Sequence, residues 1–507
     1  MDTSQLINFH AILPETITAG VAVIIMMLDA ISRKIERRVA GGICLAGLVG
    51  AAIAVVSLWG SNGATAYRGM IVTDDFRLFY ALIFLIVTFL TVLTSLRWIE
   101  REGLPSGEYF ALLMFATTGM LFMSAANNLV MIFLGLEITS IATYVLCGYR
   151  RRDLRSNESA AKYFILGSFS TAFLLYGIAF IYGASYSPAA QPAATTNLML
   201  LKERFAAGHL FSEPMLLAGA AMMIVGFGFK VAAAPFHIWS PDVYEGAPTP
   251  VTAFLSTGSK AAAFAAFSRV FILTFATASV GARLAPGALA NLQSVFTNVF
   301  VVMAILTMTI GNLAAIVQSN IKRMLAYSSI AHAGYAMVGM VALDWRSVAF
   351  YLLSYVVINL GAFGIIELIA RRGDKRTEIA DYAGIGFQAS GLATALSLFL
   401  LSLAGIPLTA GFMGKLLVFK AAWSHDFHTL VIIGVINSAI SWYYYLRVVV
   451  AMFFVEPAVG FKTPRVARSL AAALVLAVLG TLYLGILPGS VLGVLERARD
   501  QLAAVRK

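Results

Sequence analysis

Apolar residues along this chain show neither the strict alternation of a half-buried strand nor the single stripe of a soluble helix. They gather instead into fourteen long runs, at 9–31, 40–60, 77–97, 108–125, 127–149, 160–184, 214–239, 250–274, 290–313, 324–343, 347–370, 384–423, 429–454 and 469–489. A run of about 20 apolar residues crosses a hydrocarbon core of roughly 30 Å as a helix. The pattern predicts an all-α polytopic membrane protein with about 14 transmembrane helices. The first run has no basic leader and no small-residue cleavage site, so it reads as a span and not a removable signal.

Two runs cannot be simple helices. Span 12, at forty residues, would be about 60 Å long as one helix. Pro407, set between Gly405 and Gly411, predicts a break over 404–411. Span 7 predicts a matching break over 232–235, beside Lys230. Unwound backbone at membrane depth is tolerated only where protein or a water-filled cavity covers it. The breaks are mirrored, with Lys230 before Pro235 and Lys415 after Pro407, in spans that cross in opposite senses. Mirrored elements five spans apart predict two inverted five-helix repeats, spans 4–8 and 9–13. The expected organisation is a three-helix segment over 1–107, a first repeat over 108–274, a second over 290–454, and a last span with its tail over 469–507.

Composition agrees with a bilayer as the main solvent, since 60% of residues are hydrophobic and 12% charged, against roughly 25% charged in globular domains. The net charge of +11 follows loop position, and no nucleic-acid partner is needed to explain it. Connections after spans 1, 3, 5, 9, 11 and 13 carry twice the basic residues of the opposite set, among them Arg33, Lys34, Arg150, Arg151, Lys322, Arg371 and Lys462. The positive-inside rule places those connections in the cytoplasm and both termini outside. The discordant tail, with Arg497, Arg499, Arg506 and Lys507, reads as a short amphipathic helix on the membrane surface. Cys44 and Cys147 lie inside apolar runs, and the chain has no HExxH, CxxC or Gly-rich phosphate loop. No bound metal or redox cofactor is expected, and redox chemistry would belong to a partner.

Charges inside the spans are the candidate chemistry, because a lysine at the bilayer centre costs roughly 2.5 to 3.5 kcal/mol. Glu137, in LVMIFLGLEITSIATYV, is central and needs a cation to stay charged; Lys230 is its candidate partner. The competing reading is a structural ion pair. Lys260, in TPVTAFLSTGSKAAAF, has Ser256, Thr257 and Ser259 close in sequence to solvate it or hold water; backbone carbonyls freed at the break could do the same. Lys415 closes the row, while Lys420, Arg269, Glu367 and Arg447 lie nearer span ends, where long side chains snorkel to the headgroups. His332, in YSSIAHAGYAMVG, is a candidate proton relay or a hydrogen-bonded core residue. His237, in APFHIWSPD, is a candidate for proton uptake near the end of span 7. Neighbouring charge shifts the proton affinity of a buried lysine readily, so this row can switch without a cofactor.

The run PFHIWSPDVYEGAPTPVTAFLSTGSKAAAF, with LGLEITSIATYVL, NIKRMLAYSSIAHAGYAMVG and LAGIPLTAGFMGK, resembles the antiporter-like membrane subunits of respiratory complex I, the proton-translocating NADH:quinone oxidoreductase. The resemblance covers the whole chain. It implies a fourteen-helix fold with inverted repeats and a mid-membrane relay of Glu137, Lys230, Lys260 and Lys415, driven by quinone reduction elsewhere. One sibling subunit carries glutamate at the position of Lys415, and another carries a long lateral helix after span 14 that this sequence lacks. The resemblance also implies a bacterial inner membrane with periplasmic termini and other membrane-arm subunits as partners. NAD, FMN, iron–sulfur clusters and quinone would be held on partner subunits. Two alternatives stand beside it, a subunit of a multisubunit Na⁺/H⁺ antiporter and a structural spacer between pumping modules. Sodium favours several oxygen ligands, whereas this row is mostly lysine.

Overall fold

The computed structural model describes residues 8–32, 35–61, 63–188, 190–207, 211–276, 288–456 and 465–504. The expected loop charges Arg33, Lys34, Arg283, Lys462, Arg506 and Lys507 lie outside the described residues, as does the side chain of Arg499. Helices α1 (Leu13–Ser32), α2 (Arg37–Ser57), α3 (Asp75–Glu102), α4 (Gly107–Ala125), α5 (Leu129–Cys147) and α6 (Leu154–Ala184) follow the first six predicted spans. A connector, α7 (Leu198–Ala206), leads to α8 (Glu213–Val231), a short α9 (Trp239–Gly246) and the long α10 (Thr249–Ala276). The rest is α11 (Ala288–Ile316), α12 (Ile321–Val341), α13 (Trp345–Ala370), α14 (Ser390–Ala404), α15 (Ala410–Trp423), α16 (His428–Phe454), α17 (Arg468–Ile486) and the tail helix α18 (Gly489–Ala504).

Among the described residues, twelve helices are long and apolar enough to cross a membrane. The other two of the fourteen predicted spans are α12 and the broken pair α14 and α15. α12 is diluted by Lys322, Arg323, Ser328, Ser329 and His332, and the halves of the broken span are 15 and 14 residues long. α10, α12 and α13 are buried on nearly every side, so their polar groups face protein and not lipid. A hairpin of β1 (Ala64–Ala66) and β2 (Ile71–Thr73), with Ala64 opposite Thr73, escaped the sequence pattern because three-residue strands carry no readable period.

Close packing depends on small residues, as is usual between membrane helices. α4 meets α5 so tightly that a Cβ on Gly119 would lie 2.6 Å from the Gly135 carbonyl oxygen. A Cβ on Gly334 of α12 would lie 2.7 Å from the Met308 nitrogen of α11. The pairs α4/α5 and α11/α12 also begin alike. Asn128 caps α5, its Nδ2 donates to Thr196 Oγ1 at 2.9 Å, and Leu129 N–H donates to the Thr196 carbonyl at 2.9 Å. Asn320 caps α12, its Nδ2 donates to Thr377 Oγ1 at 2.9 Å, and Ile321 N–H donates to the Thr377 carbonyl at 2.7 Å.

Both predicted breaks exist. α8 ends at Ala232, which takes a left-handed φ of 58°. The N–H of Ala234, released by the break, donates to Thr307 Oγ1 of α11 at 2.9 Å, so one half of the molecule satisfies the broken backbone of the other. α14 ends at Gly405, φ 101°, where a side chain would be strained. The N–H of Gly411 donates to Ser402 Oγ at 3.1 Å, and a Cβ there would sit 1.8 Å from the Ser402 carbonyl oxygen.

Three of the four charges expected to snorkel, Arg269, Glu367 and Arg447, do not. Arg269 makes a two-pronged pair with Asp74, at 2.8 and 2.9 Å, and both are buried. Glu367, 2% exposed, pairs with Arg101 at 2.9 Å. Arg447 donates to the carbonyls of Ile316 and Gln318. Arg77, at the first position of the third predicted span, is likewise buried, against Glu15 at 2.8 Å. Position along a span shows depth but not which helix lies alongside, and here a neighbouring helix was closer than the headgroups.

Candidate functional site

Lys230 occupies the last turn of α8, just before the break, and Lys415 follows the second break on α15. With Lys260 and His332 they form a row in which no residue exceeds 5% exposure. Lys230 Nζ donates to Tyr163 OH at 3.3 Å and stands 5.0 Å from the Tyr163 ring and 5.4 Å from the Tyr144 ring. Trp239, across the break, stacks on Tyr163 at 4.6 Å and ties itself to the Phe229 carbonyl at 2.9 Å. Glu137 is half-buried and its Oε1 has no partner. The expected direct contact of Glu137 with Lys230 is absent among the described ion pairs. Tyr144 lies seven residues beyond Glu137 on the same face of α5 and meets the lysine instead.

Lys260 begins the regular helix that follows a π-helical turn at Leu255–Ser259. Its ammonium donates to the Ser329 carbonyl at 2.7 Å and to Ser329 Oγ at 2.5 Å, across to α12. The hydroxyls of Ser256 and Thr257, expected to solvate it, bond the Ala253 carbonyl of their own helix at 3.0 and 2.7 Å. The two short side chains satisfy a carbonyl within reach, and the long lysine reaches the next helix.

On α12, Ser329, His332 and Tyr335 recur every third residue and form one stripe about 9 Å long. His332 Nδ1 shares a hydrogen bond with Tyr351 OH at 2.6 Å, and Nε2 another with Tyr445 OH at 3.2 Å. Tyr445 OH also bonds Ser328 Oγ, next to the residue that holds Lys260. At the far end, Lys415 Nζ lies 4.8 Å from the Tyr335 ring. It donates to Ser438 Oγ at 2.8 Å and to the Ala404 carbonyl, freed by the second break, at 3.0 Å. Tyr335 OH accepts from Asn312 Nδ2 at 3.2 Å.

The structure therefore sets Lys260 against Ser329 and Lys415 against Tyr335 on α12, with His332 between those two positions on the helix, and places Glu137 and Lys230 in a second cluster around Tyr144 and Tyr163. His237 stands apart in the turn after Pro235, half-buried, with Nδ1 unpartnered. Lys420 is exposed, in accord with its lower rank. Sequence reasoning missed Ser329, Tyr335, Tyr163 and Ser438. The first two were readable, since YSSIAHAGY places a serine, a histidine and a tyrosine on one helical face. Among the described residues, no group of three or more His, Cys, Asp or Glu could hold a metal ion.

The family described as NADH:quinone oxidoreductase/Mrp antiporter matches residues 126–441, which include the whole row. The chain is 42% identical to NADH-quinone oxidoreductase subunit N of Trichlorobacter lovleyi over 97% of each chain. It is 45% identical to subunit N 1 of Solibacter usitatus over 95% of each. Its fold is similar to a chain of respiratory complex I from Thermus thermophilus with bound aureothin, with TM-score 0.77 and 32% identity, covering 95% of this chain and 98% of that one. A chain of the Mrp complex of Dietzia shares the fold, with TM-score 0.79 and 97% of each chain covered, at 21% identity.

Proposed function

This chain belongs to the subunit N family of NADH-quinone oxidoreductases, and on that premise we propose that Glu137, Lys230, Lys260, His332 and Lys415 carry protons across the membrane arm of that enzyme. The carrying observation is α12, on which Ser329 holds Lys260, His332 bonds Tyr351 and Tyr445, and the Tyr335 ring meets Lys415. Quinone reduction on other subunits would shift charge at Glu137 and so change how tightly Lys230 holds its proton. A unit charge about 6 Å away is worth roughly 3 kcal/mol at an effective dielectric near 20, or about two decades of proton affinity. Neutralising Glu137 removes that whole interaction, whereas moving its carboxylate by about 2 Å changes it by only about 0.7 kcal/mol, roughly half a decade. Lys230 then passes the change to Lys260, and Lys415 completes the transfer.

In this reading the chain works as a translocase subunit without a redox centre of its own. NAD, FMN, iron–sulfur clusters and quinone sit on partner subunits, and its neighbours are the other membrane-arm subunits and lipid. Fourteen crossings in a bacterial inner membrane, with periplasmic termini, put the connections rich in Arg and Lys in the cytoplasm. The shared Asn–Thr caps of α5 and α12 and the mirrored breaks support two inverted repeats, over 108–274 and 290–454. The antiporter alternative has the shared family description and a fold likeness at 21% identity behind it, against relatives of 42% and 45% identity named subunit N.

His332→Gln separates relay from packing, because glutamine can hydrogen-bond both Tyr351 and Tyr445 but cannot carry a proton. In vesicles holding the assembled enzyme, proton pumping is expected to fall about tenfold or more with assembly intact. Wild-type pumping in this variant would make His332 a core residue only.

A further inference from the structure

The buried polar groups that the row leaves unused converge at the other end of α10 and α12, the cytoplasmic end in the orientation proposed above. Lys322, in the first turn of α12 and fully buried, donates to the Ala247 carbonyl at 2.7 Å and pairs with Asp374 Oδ2 at 3.2 Å. Arg150, just after α5, reaches the same Oδ2 at 3.2 Å. Asp374 lies beyond the end of α13, so these three charges tie together segments from both halves of the chain.

The cluster has capacity to spare. Asp374 Oδ1 and Arg150 Nε and Nη1 are buried without a hydrogen-bond partner, although each residue is only 8% exposed. The Thr249 hydroxyl, fully buried at the start of α10, faces the Asp374 carboxylate and favours its charged form. Buried polar atoms left unpartnered are ordinarily met by water. Burial opposes charge on Asp374, but Lys322 and Arg150 outweigh it and hold its carboxyl below the usual carboxylate range. The carboxylate accepts a proton only when one of its cations withdraws, so uptake there is conditional.

A path leads inward from the cluster. Along α10, Thr249, Thr252, Ser256 and Lys260 follow at steps of three, four and four, which keeps them on one face. α13 packs against α10 and contributes Asn359 Nδ2 and Tyr355 OH, both buried and unpartnered. The Tyr355 ring stands 5.1 Å from the His332 ring and beside Ser329, and Asn359 lies one helical turn along α13 toward the Asp374 end.

We propose that Asp374 is the carboxyl that loads protons onto Lys260, gated by Arg150 and Lys322, through water held along Thr249, Ser256, Asn359 and Tyr355. The step is proton transfer alone. Asp374 takes a proton from a hydronium ion on the cytoplasmic side, which is left as water; the new carboxyl O–H bond breaks as the proton moves along the bound water, and an N–H bond forms on the neutral Lys260 amine. The inference rests on the proton-carrying role of Lys260.

The test uses the assembled enzyme in vesicles, with NADH-driven proton pumping as readout. Asp374→Asn keeps the size of the side chain but cannot carry a proton, and pumping is expected to fall at least about tenfold. Asp374→Glu is expected to restore most of it, which a purely structural role for the aspartate would not predict. Asn359→Leu, which makes the path apolar without touching the ion cluster, is expected to lower pumping while thermal stability stays unchanged; it decides the matter if Asp374→Asn does not assemble. Wild-type pumping in Asp374→Asn, or in Asn359→Leu, would overturn the loading path. Lys260→Ala in parallel separates the two levels: normal pumping there removes the relay itself, whereas a dead Lys260→Ala beside a normal Asp374→Asn removes only this inlet.

Discussion

Lys260→Ala in the assembled enzyme is expected to lower proton pumping by roughly two orders of magnitude. The ammonium is 2% exposed and meets α12 through the carbonyl and hydroxyl of Ser329, so no headgroup can take its place. Its removal leaves His332 and Lys415 with nothing on the first-half side from which to receive a proton. Lys260→Arg sharpens the result. A guanidinium preserves the positive charge but does not release its proton, so arginine is not expected to restore pumping if the lysine is a carrier. Recovery with arginine would show that charge alone matters at this position. The check is the internal pH of vesicles during NADH oxidation, read beside the amount of assembled enzyme.

The second large effect concerns stability. Arg77 and Glu15 are each 1% exposed and pair at 2.8 Å, and Arg77 also donates to Thr73 Oγ1 at 3.0 Å and to the Ala11 carbonyl at 2.6 Å. Arg77→Leu strands a buried carboxylate and breaks the tie between α1 and α3, with an expected loss of about 3 to 5 kcal/mol. Replacing both partners with leucine is expected to recover much of that, since the uncompensated charge, more than the lost attraction, causes the damage. Thermal unfolding of the purified enzyme measures both variants. Equal stability of Arg77→Leu and wild type would mean that the pair does not hold these helices.

Much of this architecture was legible because a bilayer leaves the chain few options. Runs of about 20 apolar residues must be helices, and Pro407 and Pro235 marked both breaks. The burial of Lys230, Lys260, His332 and Lys415 was legible too, because charge at membrane depth is costly and needs a reason. What the sequence concealed was lateral contact. Lys260 turns to a serine 69 positions away, and Arg269 finds Asp74 across 195 positions. Hydropathy sets the depth of a residue but not the neighbour it faces, which is why local hydroxyls were credited with solvating Lys260 and span ends with snorkelling. Tyr144 and Tyr163 were passed over for a related reason. An aromatic in an apolar run looks like core until an ammonium is found against its ring.

The most direct measurement is a map of the assembled enzyme at a resolution that shows ordered water. Proton transfer along α12 predicts waters or side-chain hydrogen bonds without interruption from Lys260 and Ser329, past His332 and Tyr335, to Lys415. A dry gap on either side of His332, kept in every turnover state, would contradict it.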